Sequence, residues 1–130
     1  MTMPFTGKIL LVDDEPHVRK FIGILARGLG SPVIIEAGNG EEALTLFDRE
    51  SPDLVLLDVN LPGMDGTQIL AAILARDSDA TVVMLTSLAN RQTVEECLRL
   101  GAAGYIRKDT PKEAILAELS AAIREKLDGP

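Results

Sequence analysis

Cysteine is nearly missing from this chain. Cys97 stands alone, so no internal disulfide can form, and a reducing, cytosolic setting is expected. Its neighbours, with Val94 and Leu98 at helical spacing, suggest a small buried side chain in a helix rather than a reactive thiol. Histidine is as scarce: His17, the only one, reads as a helix-surface residue and not as a ligand or a base. Met1 to Gly7 lacks the charged flank and apolar stretch of a signal peptide. No apolar run approaches the roughly 20 residues that span a bilayer, so a soluble, cytoplasmic protein with no membrane partner is expected. Positive charge is also short, with 13 Lys and Arg against 20 Asp and Glu and a net charge of −7. Nucleic acid and anionic lipid surfaces both ask for a basic footprint, which argues against direct binding to either. Long linkers, low-complexity tracts and internal repeats are missing too, and the four methionines form no stripe that suggests a cofactor.

What is present is a globular composition, 46% hydrophobic and 25% charged, in 130 residues that suit one core and leave little room for a second. Five short apolar runs recur: Ile9 to Val12, Val33 to Ile35, Leu54 to Leu57, Val82 to Leu85 and a weaker Gly104-Tyr105-Ile106. They are nearly continuous rather than alternating, the pattern of strands buried on both faces of a parallel sheet. Between them lie stripes of helical period. Val18, Phe21, Ile22, Leu25 and Leu29 form the first, with Pro16 placed for a first helical turn. Ala43, Leu44 and Phe47 form the second, Ile69, Leu70, Ile73 and Leu74 the third, and Val94, Cys97 and Leu98 the fourth. Ile115, Leu116, Leu119, Ile123 and Leu127 form the last, after Pro111, while Gly28, Gly30 and Gly101 punctuate helix ends. The chain is therefore (βα)5: an α/β fold with right-handed crossovers and helices on both faces of a five-stranded parallel sheet.

In open α/β sheets, ligands bind outside the carboxyl ends of the strands. The first run ends in Asp13-Asp14, the third in Asp58, the fourth in Thr86-Ser87 and the fifth in Arg107-Lys108. Each has an ordinary reading on its own. Asp13 or Asp14 can cap the helix before Pro16, Asp58 can be a turn residue, Thr86 a capping hydroxyl and Lys108 a solvated charge. Their coincidence at one sheet edge is what signals chemistry. Three gathered carboxylates repel one another and need a proton or a cation to hold them ionised. A hard, oxygen-liganded ion such as Mg²⁺ answers that need, taking one or two carboxylates along with waters and phosphate oxygens. Carboxylates can act as nucleophiles that form an aspartyl phosphate, and phosphoryl transfer asks mainly for positioning and charge stabilisation.

Ile9-Leu10-Leu11-Val12-Asp13-Asp14-Glu15-Pro16 is followed by Glu36-Ala37-Gly38-Asn39-Gly40-Glu41-Glu42-Ala43-Leu44 and by Pro52 to Gly66 around Asp58. Leu85-Thr86-Ser87 and Gly101-Ala102-Ala103-Gly104-Tyr105-Ile106-Arg107-Lys108 complete the series. In this order and at these spacings the segments resemble the receiver domain of two-component response regulators, including the chemotaxis response regulator. The resemblance covers about residues 8–127 and implies a single receiver domain over 1–130, doubly wound and flavodoxin-like, with strand order 2-1-3-4-5. It implies that Asp58 accepts a phosphoryl group from a sensor histidine kinase or a histidine phosphotransfer protein. Asp13, Asp14 and Asp58 would hold Mg²⁺ together with the backbone carbonyl of Asn60. Lys108 would pair first with Asp58 and then with phosphoryl oxygens. Thr86 would bond the phosphoryl group, and Tyr105 would turn inward as Thr86 moves. The fourth helix, fifth strand and fifth helix would then present a changed surface to a downstream output protein or domain. Asn60 and Leu88 occupy positions that tune phosphoryl lifetime in the family, and a phosphorylation-dependent homodimer is open to it. Such a domain is not an enzyme in the ordinary sense, since it catalyses only its own phosphorylation and slow dephosphorylation.

Asp109 follows Lys108 where many receivers carry proline, and a cis bond before a non-proline residue costs about 3 kcal/mol, so a trans bond is favoured. A phosphatase of the haloacid dehalogenase type would need an Asp-x-Asp motif after the first strand, and a flavodoxin would need a Gly- and hydroxyl-rich loop there. Asp13-Asp14-Glu15 is neither. The remaining alternative is a pseudo-receiver that keeps the fold as a phosphorylation-independent interaction module. Asp128-Gly129-Pro130 reads as the ending of a stand-alone regulator, against a fragment of a longer DNA-binding one.

Overall fold

The computed structural model describes residues 5–87 and 91–128, with side chains to Glu125. Strands and helices alternate: β1 (Lys8–Val12), α1 (Pro16–Arg27), β2 (Val33–Ala37), α2 (Gly40–Glu50), β3 (Leu54–Asp58), α3 (Gly66–Arg76), β4 (Val82–Thr86), α4 (Arg91–Leu100), β5 (Gly104–Arg107) and α5 (Lys112–Asp128). The strands form one parallel sheet in the order β2-β1-β3-β4-β5. Leu88 and the Gly129-Pro130 ending lie outside the described residues, as does the side chain of Leu127.

The continuous apolar runs have a direct structural cause. Successive strand residues point to opposite faces, so a strand covered on both sides needs apolar residues at every position. Leu10, Val12, Val55, Leu57, Val82 and Met84 join one cluster with Ala43 and Phe47 of α2, Ile69, Leu70 and Ile73 of α3, and Val94 and Cys97 of α4. Ile9, Leu11, Leu54, Leu56, Val83, Leu85 and Ile106 join a second with Ile22 and Ala26 of α1 and Ile115, Leu119, Ala122 and Ile123 of α5. The sheet thus divides two half-cores.

Two expectations need correction, one on β2 and one on which stripe residues are buried. β2 is not buried on both faces, because it is the sheet's edge: Val33 and Glu36 are exposed, and Ile34 and Ile35 are only partly covered. The α1 stripe runs through Ile22 and Ala26, leaving Phe21 on the exposed flank, and Leu98 of α4 is exposed in the same way. Neither Asp13 nor Asp14 caps α1. Glu15 holds the N-cap position without a side-chain bond, and Pro16 supplies the fixed φ of the first turn. As expected, Gly28 ends α1 at its C-cap, with a right-handed φ of −68°, and Gly101 ends α4 at φ +121°, where a side chain is strained.

Local chemistry also fixes where α3 begins. Asp65 accepts from the Gln68 N–H at 2.9 Å while the Gln68 side chain accepts from the Asp65 N–H at 3.1 Å, a reciprocal cap. Gly66 follows, and its N–H donates to the Val59 carbonyl at 2.9 Å. A Cβ on Gly66 would stand 2.7 Å from the Asp58 carbonyl oxygen, so only glycine lets α3 come this close to the end of β3.

Candidate functional site

The order β2-β1-β3 places β1 and β3 side by side where the winding reverses, and the carboxylates leave the sheet at that crevice. β1 ends at Val12 and delivers Asp13 and Asp14, and β3 ends at Asp58 itself. One carboxylate oxygen from each of the three lies within 4.8 Å of the others. Asp13 and Asp58 are buried and Asp14 is exposed. β4 contributes Thr86, also buried, from the next strand over. Beyond β5 the Lys108 N–H donates to the Thr86 carbonyl at 2.7 Å, continuing the ladder and turning the lysine side chain over the site.

Lys108 reaches both buried acids. Its Nζ lies 3.0 Å from Asp13 Oδ2 and 3.3 Å from Asp58 Oδ1. The second Asp13 oxygen accepts from the Glu15 N–H at 2.9 Å, and Asp58 Oδ1 accepts from the Asn60 N–H at 3.2 Å. One ammonium therefore serves two carboxylates, and a third stands beside them. Burial, followed by the charge of Asp13, pushes the Asp58 carboxyl up to about 6, against the opposing pull of Lys108 and the Asn60 N–H. Burial works to lower Lys108, yet its bond to Asp13 and the two acidic charges hold its pKa above the ordinary lysine value.

The donor set fits a hard divalent cation: clustered carboxylate oxygens, short of positive charge, with an exposed side at Asp14. The Thr86 hydroxyl donates to the Ser87 carbonyl at 3.0 Å and so is turned along the chain. Tyr105 sits opposite Met84 in register and is 46% exposed. Leu98, Gly104, Tyr105, Arg107, Thr110, Ala114 and Glu118 line a groove between α4, β5 and α5. Arg107 is paired with Asp109 at 3.1 Å, and the Lys108–Asp109 peptide is trans.

Asp13, Asp14, Asp58 and Lys108 thus come together at one edge, with Thr86 at the end of the next strand and the Asn60 N–H on Asp58, whereas Tyr105 lies outside on β5. Two features carry no sequence signal. Lys108 stands closer to Asp13 than to Asp58. Arg19 on α1 donates to the Asp13 backbone carbonyl at 2.5 Å and pairs with Glu36 at 2.9 Å. Both depend on tertiary packing between elements far apart in the chain.

Comparison with known proteins fits this geometry. A family model described as a response regulator receiver domain matches residues 9–120. The chain is 38% identical over 118 residues to the positive alginate biosynthesis regulatory protein of Pseudomonas aeruginosa, covering 89% of this chain and 47% of that one. It is 34% identical over 117 residues to the chemotaxis protein CheY of Listeria monocytogenes, covering 90% and 98%. It therefore spans about half the length of some curated relatives and nearly all of others. A solved structure of a CheX–CheY–BeF3–Mg²⁺ complex from Borrelia burgdorferi superposes with a TM-score of 0.81 at 31% identity, over 88% of this chain and 87% of that one.

Proposed function

The chain belongs to the response regulator receiver domains of two-component systems, and from that premise we propose that it is a phospho-accepting switch whose acceptor is Asp58. We take residues 1–130 as a single receiver domain with its core at about 8–127. The observation that carries this reading is Asp58 buried at the end of β3, with Lys108 Nζ at 3.3 Å and carboxylate oxygens of Asp13 and Asp14 within 4.8 Å.

A carboxylate oxygen of Asp58 attacks phosphorus of a phosphohistidine on a sensor kinase or phosphotransfer protein. The P–O bond forms as the P–N bond breaks, and the leaving imidazole takes up a proton. Lys108 moves from carboxylate to phosphoryl oxygens, and Thr86 turns its hydroxyl from the Ser87 carbonyl to the same group. Asp13, Asp14, Asp58 and the Asn60 backbone carbonyl would hold Mg²⁺, which when bound supplies positive charge against the phosphoryl oxygens. Movement of Thr86 frees space beside β4 for Tyr105 to turn inward, and this changes the groove between α4, β5 and α5. A downstream protein or domain, or a second phosphorylated copy, reads that surface. The cytoplasm is the setting that such a partner kinase requires.

Intact-protein mass after incubation with acetyl phosphate tests the assignment. The wild type should gain one phosphoryl group with Mg²⁺ and none without, and Asp58→Asn should gain none in either case. No gain in the wild type, together with failure to form a beryllofluoride complex, would replace this reading with an interaction module of the same fold.

A further inference from the structure

Asp13 has every polar atom engaged. Its N–H donates to the Ala37 carbonyl at 3.1 Å, Oδ1 accepts from the Glu15 N–H at 2.9 Å, and Oδ2 accepts from Lys108 at 3.0 Å. Its own carbonyl accepts from Arg19 Nη1 at 2.5 Å. Asp14 is different, being exposed. The backbone that carries Asp14 is the peptide it shares with Asp13. That peptide is planar, so pinning its carbonyl oxygen fixes the direction in which Asp14 leaves it.

We propose that Arg19 is a positioning residue that sets the Asp14 carboxylate against Asp13 and Asp58 by gripping the peptide between the two aspartates. The proposal deepens the cation-site reading above and rests on it. Arg19 suits the role because its guanidinium is a rigid fork with donors on different edges. While Nη1 holds the Asp13 carbonyl, Nε holds Glu36 Oε1 at 2.9 Å at the end of β2. The Arg19 N–H also donates to the Glu15 carbonyl at 3.1 Å in the first turn of α1. The first loop is thereby tied to α1 and to β2 together.

Holding the strands together does not require this contact. β1 and β2 already pair from Lys8↔Val33 to Val12↔Ala37, and the Asp13 N–H extends that ladder to Ala37. What Arg19 adds falls on one peptide, the one that aims Asp14.

The sign of the effect separates positioning from plain electrostatics. Removing a positive charge close to a cation site should tighten cation binding if charge alone mattered. Removing a positioning residue should weaken it. The experiment is Mn²⁺ binding by electron paramagnetic resonance to unphosphorylated wild type, Arg19→Met and Arg19→Lys, with thermal melts alongside. Arg19→Met should weaken Mn²⁺ binding by about tenfold or more, the usual scale for losing a partner of a metal ligand. Arg19→Lys, with a point charge in place of a fork, should recover only part of the affinity. The Mg²⁺ concentration for half-maximal phosphorylation by acetyl phosphate should rise with the Mn²⁺ dissociation constant, while the rate at saturating Mg²⁺ stays near that of the wild type.

Unchanged or tighter Mn²⁺ binding by a folded Arg19→Met overturns the proposal. Should that variant fail to fold, Arg19→Lys decides, and wild-type affinity there overturns it equally. Failure of the wild type itself to bind Mn²⁺ refutes the underlying cation site, an outcome distinct from both.

Discussion

Asp58 is held between opposing influences. Burial and the neighbouring Asp13 charge disfavour its ionised form, while Lys108 and the Asn60 N–H favour it, and the balance lies at about 6. A carboxyl raised in the folded state contributes its full stability below the unfolded value, and that contribution is lost as pH rises through the folded value. The window here runs from about pH 4 to above pH 6. With EDTA present at pH 7.5, the ionised acid costs the fold about 2–3 kcal/mol, taking 1.36 kcal/mol for each pH unit. Asp58→Asn should therefore be more stable than wild type at pH 7.5 in urea denaturation with EDTA, and the difference should close by pH 4. An equal difference at both values would show that Asp58 ionises in the folded protein as it does in a peptide. At this scale much was readable from sequence. Asp13, Asp14, Asp58, Thr86 and Lys108 stand where apolar runs stop, and a strand's end is marked by that change alone. Arg19 was not readable, since nothing in its spacing from Asp13 says that the guanidinium turns back to a carbonyl.

At the scale of elements, α3 is pressed against the loop that leaves β3. The reciprocal cap at Asp65 and Gln68 starts the helix, and bare Gly66 lets it sit over the Asp58 carbonyl. Gly66→Ala would put a Cβ 2.7 Å from that oxygen and 2.8 Å from the Val59 Cα, both backbone atoms with little room to yield. We expect a loss of about 1–3 kcal/mol in a urea titration, the range for overpacking, together with slower phosphorylation by acetyl phosphate. Loss of stability without change in rate would mean that the loop absorbs the shift away from Asp58. The elements themselves were legible because periodicity separates strands from helices. Two details were hidden. β2 has the apolar content of a central strand, and only the strand order reveals it as an edge. Phe21 stands one position from Ile22, and an apolar stripe of helical period does not say where its exposed flank begins.

At the scale of the whole molecule, acid outweighs base by seven charges, and three of the acids meet at one crevice. A cation that binds there only in the folded state must raise global stability by mass action. Mg²⁺ at a hundredfold excess over its dissociation constant should add about 2.7 kcal/mol, seen as a higher Tm that EDTA reverses. Asp13→Asn should abolish most of that gain, and an equal gain in this variant would place the cation elsewhere.

The sheet also has a consequence for how such a chain can change over generations. Each half-core is sealed from the other by backbone, with α2, α3 and α4 on one side and α1 and α5 on the other. A change of volume in one can be compensated only by its own members, because coupling between substitutions fades beyond shared contacts. The two interiors can therefore drift on separate histories. The groove between α4 and α5 joins a wall from each, so its shape records both lineages at once.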